Sequence, residues 1–270
     1  MIMSPTTASA LSLFLYCLSA FLIFNQLKHH SKKAAGQRWL SLSLAFIGLN
    51  LHAVALYQSI WHTDGLDLGF FAAFSLITWL ISIQILLSCF FRHIEALGIV
   101  MFPMAGLASL VSSITPVAPV QLIAVSNATI QGHIMISVIA YSLIMLGAVQ
   151  AILLAYQDRA IRAHHPGGFI RYLPPIHDME TLLFRFLGFG FVLLSGSLIT
   201  GFFYLEDIFA QHQAHKTLFS LIAWLILGTL LFGRFQFGWR GRTAVRWTLS
   251  AFALLMIGFF GSKLVYQFII

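Results

Sequence analysis

Eight runs of about twenty mostly apolar residues follow one another along the chain, at approximately 8–27, 39–60, 70–91, 95–114, 131–156, 181–205, 216–233 and 247–268. About twenty such residues, rising 1.5 Å each, suffice to cross a bilayer as an α-helix. The expected fold is therefore all-α: a polytopic membrane helix bundle of about eight transmembrane helices, forming one integral membrane domain over residues 1–270. Composition agrees. Charged residues make up 9% of the chain, where a soluble protein carries about 25%. Hydrophobic residues make up 59%, and the mean hydropathy is +0.90. This balance excludes a disordered tail, a secreted disulfide scaffold and a conventional cytosolic enzyme.

The formal charge of +7 raises nucleic acid as a partner, and the placement of the charges removes it. Nucleic-acid binders gather Lys and Arg on one surface. Here all 15 basic residues except Lys216 and Lys263 fall in, or at the edge of, alternate gaps between apolar runs. Those gaps hold Lys28, Lys32, Lys33 and Arg38; Arg92; Arg159, Arg162, Arg171 and Arg185; and Arg234, Arg240, Arg242 and Arg246. Such a bias orients membrane helices with the basic gaps in the cytoplasm. No Lys or Arg precedes the first run and three lysines follow it, the reverse of a secretory signal. Both termini are expected outside, in the periplasm if the membrane is the bacterial inner membrane. The lipid bilayer is then the first partner, and no nucleic acid is expected. Cys17 and Cys89 lie within apolar runs without a Cys-x-x-Cys or Cys-x-x-Cys-His pattern. A disulfide framework, a thiol-redox motif and covalent c-type haem attachment are excluded on this chain.

Two gaps are longer. Residues 157–180 contain Pro166, Gly167, Gly168, Pro174 and Pro175 and read as an irregular cytoplasmic loop. Residues 115–130 are uncharged and half apolar, and read as an outer segment lying on the membrane surface. Pro103 is expected to kink the fourth run. Gly188, Gly190, Gly196 and Gly201, with Ser195 and Ser197, give the sixth run a small-residue face suited to close helix approach. There is no internal repeat, so an inverted-repeat transporter is not supported.

Eleven histidines stand against eight acids. His29, His30, His93, His164, His165 and His177 lie in or beside cytoplasmic gaps and read as solvated residues at the headgroups. The outer half differs. His52 lies eight residues before the end of its run, about 12 Å down the helix, where an ionisable group normally faces the bundle interior. His133 opens the fifth run; His212 and His215 precede the seventh, three apart, on one face if the helix begins early. His62 lies in the first outer loop and, with His212, reads as a surface residue. For His52 and His133 the plain alternative is a helix–helix hydrogen bond. For Lys216 and Lys263 it is a snorkelling anchor. Two neutral imidazoles beside cations also suit haem, whose iron takes axial His nitrogens and whose propionates need positive charge. A divalent metal would want carboxylates or further histidines close by.

The stretch HIMISVIAYSL from His133 to Leu143 resembles a span of the cytochrome c assembly proteins, the haem-handling group that includes CcsA and CcmC. So do ETLLFRFLGFGFVLLSGSLITGFFY, HKTLFSLIAWLILGTLLFGR and GWRGRTAVRWTLSAFALLMIGFFGSKLV, in that order. The similarity covers roughly residues 70–268, and eight spans suit the HemX-like branch with its YpjD-like inner-membrane members. The resemblance implies that His133 matches the family's first periplasmic haem-ligand His. The family's haem-delivering members carry a Trp-rich motif, WGxxWxWD, in the outer loop before the seventh span. Here that loop reads LEDIFAQHQAHKT, without Trp. Where the family has its second periplasmic His, this chain has Gly261, Ser262 and Lys263. His215 is the replacement candidate by position.

The expected protein is thus a non-enzymatic inner-membrane haem handler. It would hold haem b non-covalently near the outer face, with His133 and His215 as axial ligands and His52 as an inner alternative. Lys216 and Lys263 would meet the propionates. Haem delivery in cytochrome c assembly, or regulation of haem supply, would make cytochrome assembly or haem-synthesis proteins its partners. Three other readings stand beside it. One is a transporter or accessory for a cation or small solute, with Asn50, His52, Gln84 and Gln150 as its intramembrane polar groups. The second is a regulator acting through the basic cytoplasmic loops. The third is a bis-His membrane oxidoreductase that would also need His93 and His177.

Overall fold

The computed structural model describes residues 3–29, 34–62, 65–67, 69–91, 94–115, 122–123, 128–163, 173–204 and 214–261. Chain contacts divide it into two compact units, Met1–Val125 and Ser126–Ile270. The first contains α1 (Pro5–His29), α2 (Ala34–Ile60), α3 (Phe70–Phe91) and α4 (Gly98–Ile114), with a 3-10 turn at Glu95–Leu97 leading into α4. The second contains α5 (Ala128–Arg162), α6 (Ile176–Tyr204), α7 (Ala214–Phe237) and α8 (Arg242–Met256), which continues as a π-helical segment at Ile257–Gly261. The helical architecture matches the sequence expectation run for run.

Among the described residues, seven helices are long and apolar enough to cross a membrane, α1 through α7. The eighth expected run is not among these seven. α8 starts at Arg242, five residues before the apolar run, and its helical backbone continues through the π-helical segment to Gly261. Positions 262–268 of that run lie outside the described residues.

Three short strands also depart from a purely helical chain. β1 (Trp61–His62), β2 (Gly65–Asp67) and β3 (Leu122–Ile123) form an antiparallel sheet in that order, with Trp61 opposite Leu66 and Leu66 opposite Ile123. The strand pairing ties the α2–α3 connection to the α4–α5 connection. Of the expected surface segment 115–130, only Thr115, Leu122–Ile123 and the start of α5 are described. The long gap expected in the cytoplasm is shorter than expected, because α5 runs on to Arg162 and α6 begins at Ile176, directly after Pro174-Pro175. Side-chain amides of α5 reach the α6 entry: Gln157 Nε2 donates to the Pro174 carbonyl at 3.0 Å and Gln150 Nε2 to that of Met179 at 3.1 Å. α4 passes through Pro103 as one helix.

Within the first unit, α1 packs chiefly on α2 and α4. Its serines recur on one face and each donates to a carbonyl of a neighbour. Ser9 Oγ reaches the Ser109 carbonyl at 3.2 Å, Ser12 Oγ that of Gly48 at 2.8 Å and Ser19 Oγ that of Ser41 at 2.7 Å. Gly106 lets α4 approach closely, since a Cβ there would lie 2.7 Å from the Leu13 Cα. At the basic end, Arg38 Nε donates to Glu95 and its Nη2 to the Cys89 carbonyl, so one guanidinium joins the start of α2 to the end of α3 and the entry of α4. Glu95 is buried. Arg38, expected as a loop charge, is therefore a structural tie.

In the second unit α5 packs most extensively on α6, and α8 lies against α7 and α5. The expected small-residue face of α6 splits. A Cβ at Gly190 would meet Ile144 of α5 at 2.8 Å, whereas Gly188 has nothing within 4 Å. Replacing Gly106 by Val should force α1 and α4 apart and destabilise the first unit by about 1–3 kcal/mol. Unfolding of the purified variant in detergent, compared with Gly188→Val as a substitution into open space, measures the effect.

Candidate functional site

α5 carries His133, Ser137 and Tyr141 at spacings of four, which places them on one helix face. α6 and α7 meet that face with hydroxyls. His133 Nδ1 lies 3.0 Å from Thr200 Oγ1, Ser137 Oγ lies 2.6 Å from Ser197 Oγ, and Tyr141 Oη lies 3.1 Å from Ser220 Oγ. The ladder runs from half-buried His133 to buried Tyr141, whose ring also contacts that of Phe259 in the π-helical segment at a centroid distance of 5.1 Å. On the far side of α6, Ser195 Oγ accepts from Trp224 Nε1 at 2.7 Å, and Phe191 stacks on the same indole.

These partners determine how the imidazole is protonated. Thr200 Oγ1 lies 2.9 Å from the Gly196 carbonyl and 3.0 Å from that of Ser197, so its single hydrogen goes to backbone. With that hydrogen on backbone, the oxygen is free to accept from a hydrogen on His133 Nδ1. In that tautomer the other nitrogen, Nε2, keeps its lone pair. A hydrogen bond that selects the tautomer in this way also orients a metal-ligating imidazole. The ring has room because position 201 is glycine: a Cβ there would sit 3.1 Å from His133 Cε1. Ser137 completes the arrangement by donating to the His133 carbonyl at 2.7 Å.

His52 has a different setting, in the first unit. It is fully buried, with Nε2 2.9 Å from Ser75 Oγ and the ring edge-on to Tyr16 at 6.1 Å. Its Nδ1 has no hydrogen-bond partner among the described residues. Tyr16 stacks on Phe102 at 5.5 Å, which encloses the pair in the unit's core. The helix–helix hydrogen bond weighed from sequence is thus present at both His52 and His133.

His215 lies in the first turn of α7, and its side chain is outside the described residues, as are Lys263 and His212. Lys216 is half-buried in the same turn, where α7 meets the π-helical segment: a Cβ at Gly258 would lie 2.9 Å from Phe219 Cβ and 3.7 Å from the Lys216 carbonyl. His62 belongs to β1, with its side chain outside the described residues. Among the described residues no three His, Cys, Asp or Glu stand together as a metal-binding group. The residues that sequence reasoning missed are Thr200 as the partner of His133, and Ser137, Tyr141 and Ser220. The legible signal was the His-x3-Ser-x3-Tyr spacing on α5.

Fold and site together define a multi-pass helical membrane protein whose second unit presents an imidazole held between two membrane-crossing helices. The chain belongs to the cytochrome C assembly protein family, whose sequence profile matches residues 39–270. It is 29% identical to the inner membrane protein YpjD of Escherichia coli K12 over 262 residues, covering 96% of this chain and 97% of that one. It is 21% identical to the protein HemX of Brevibacillus brevis, with 93% of both chains covered. The cytochrome c biogenesis protein CcsA of Chlamydomonas reinhardtii is 22% identical over 135 residues, 49% of this chain and 37% of that one. No solved structure matches the chain. The protein is thus a multi-pass inner-membrane member of this family.

The Tyr141–Ser220 contact should contribute modestly, as hydrogen bonds between membrane helices do. A double-mutant cycle with Tyr141→Phe and Ser220→Ala is expected to give a coupling of about 0.6 kcal/mol, and less than about 2 kcal/mol, in detergent unfolding.

Proposed function

We propose that this protein binds and handles haem non-covalently near its outer face, with His133 as an axial ligand through Nε2. The observation that carries this reading is the Thr200 hydrogen bond, which holds the ring hydrogen on Nδ1 and leaves the ligating nitrogen with its lone pair. Membership of the cytochrome C assembly family supports a haem-related role. Bound haem supplies an iron with two axial positions and a porphyrin that, lacking a covalent link, can be passed on. The chain's residues would hold and orient it. Thr200 fixes the imidazole, Gly201 clears space for the ring, and Tyr141, Ser220 and Phe259 close the packing on the inner side.

His215, in the first turn of α7, is the proposed second ligand, with Lys216 beside it and Lys263 near the end of the chain as propionate partners. His52, enclosed in the first unit, is the inner alternative. The role is haem delivery in cytochrome assembly or control of haem supply. No catalytic step is assigned to this chain.

Absorption spectra of the detergent-purified protein, oxidised and dithionite-reduced, test the proposal. A Soret band with sharp reduced α and β bands is expected, and it should be lost in His133→Ala. A band that survives in both His133→Ala and His215→Ala moves the ligand to His52 or the inner histidines. No band after haem is added rejects haem binding. Thr200→Val should keep the fold and weaken haem retention about 10–100-fold, the usual cost of removing the partner that orients a ligating His.

A further inference from the structure

The turn between α7 and α8 is held by several hydrogen bonds and carries a charge that no ion pair among the described residues neutralises. Gly238 and Gly241, with φ of +67° and +59°, frame the four-residue turn Gly238-Trp239-Arg240-Gly241. A residue with a Cβ would be strained at either position. Trp239 is fixed on α7: its backbone N donates to the Gly233 carbonyl, and its indole covers Gly233, where a Cβ would lie 2.3 Å from the ring. Arg234 Nη1 donates to the Trp239 carbonyl, and its guanidinium sits 4.7 Å from the centroid of the Phe184 ring. Glu180 of α6 accepts from the Gly241 N–H at 2.7 Å.

The charges follow from this frame. Arg240, Arg242 and Arg246 are exposed, and Arg242 and Arg246 are four apart on α8. The sequence contains no Asp or Glu after Asp207. Of the carboxylates on α6, Glu180 is buried on the Gly241 N–H and exposed Asp178 makes no ion pair with these arginines among the described residues. The described ion pairs are Arg38–Glu95 and Arg162–Asp158. Beside the arginines lies a strongly apolar surface. Phe232, Phe235 and Phe237 are exposed at the end of α7, Phe235 by 90%, and Trp239 packs against Trp247 at 5.4 Å. A group that satisfies both halves must be anionic at one end and hydrocarbon at the other.

We propose that this corner is a binding site for the headgroup of an anionic phospholipid. The arginines would take its phosphate in forked hydrogen bonds, and the phenylalanines and tryptophans would take its acyl chains. Charge complementarity favours a phosphate, since guanidinium forks match phosphate oxygens and no described carboxylate competes for them. The aromatic shelf beside the arginines selects a lipid over a free anion, because a soluble phosphate gains nothing from exposed Phe235 and Phe237. The basic bias assigns this end of the helices to the cytoplasmic leaflet, where anionic lipids attract Lys and Arg near the surface. The site is independent of haem binding.

Native mass spectrometry of the full-length protein, incubated with equal dioleoyl-phosphatidylglycerol and dioleoyl-phosphatidylcholine, provides the test. The wild type should retain phosphatidylglycerol preferentially, with roughly fivefold lost per arginine removed. The triple variant Arg240→Gln, Arg242→Gln, Arg246→Gln should lose the preference, while Arg159→Gln, at the end of α5, should keep it. The corresponding Arg→Lys triple keeps the charge that orients the helices. It should retain binding at low salt and lose it faster than wild type as salt rises. A glutamine triple that remains helical and keeps the wild-type preference overturns the proposal. So does displacement of the lipid by millimolar inorganic phosphate, which would make this a soluble-anion site.

Discussion

Lipid hydrocarbon offers a peptide group nothing to hydrogen-bond, and the rest of this structure depends on that constraint. Each crossing segment satisfies its backbone internally as a helix. Once helical, the segments gain little from hydrophobic association, because lipid tails are as apolar as their side chains. Close contact and small polar bonds must hold them together. The first unit shows both: glycine at 106 brings α4 onto α1, and Ser9, Ser12 and Ser19 each donate to a carbonyl of a neighbouring helix. No single bond of this type is strong. Their value lies in specifying which faces meet. The Arg38–Glu95 pair adds a stronger tie at the basic end, where two helix termini and a 3-10 turn must be brought to one place.

The candidate site uses the same economy for another end. Thr200 bonds back to its own helix, as buried hydroxyls in membranes commonly do, and this commitment turns it into an acceptor for His133. A structural habit of the helix thereby sets the tautomer of an imidazole. His52 shows the contrast. Its partner is also a hydroxyl, that of Ser75, but the ring is sealed within the core of the first unit. His133 is half-buried on a face whose neighbours are hydroxyl-bearing and glycine residues, with Gly201 against the ring.

The family relation divides along the same line. The chain matches YpjD and HemX over nearly the whole length of each protein, whereas the match to CcsA covers about half of this chain. This chain's outer loop before α7 lacks tryptophan. The function proposed for this chain rests on the setting of the histidine at the start of α5.

By itself the sequence determined that the chain crosses a membrane repeatedly as helices, roughly where each begins and ends, which gaps are basic, and that His133 opens the fifth helix. These properties depend on local composition and length, and bilayer thickness translates them directly into structure. Only the tertiary structure decided which faces meet. In lipid both the packed and the exposed sides of a helix are apolar, so the hydrophobic pattern that reveals the buried face of a soluble helix is nearly silent. That is why Arg38 read as a loop charge before Glu95, 57 positions away, was placed beside it. It is also why Thr200, 67 positions from His133, could not be named its partner. The strand pairing of Leu66 and Asp67 with Ile123 and Leu122, and the start of α8 at Arg242, were hidden for a related reason. Each depends on where distant segments come to rest, and a few hydrogen bonds between helices, too sparse to leave a period in the sequence, fix those positions.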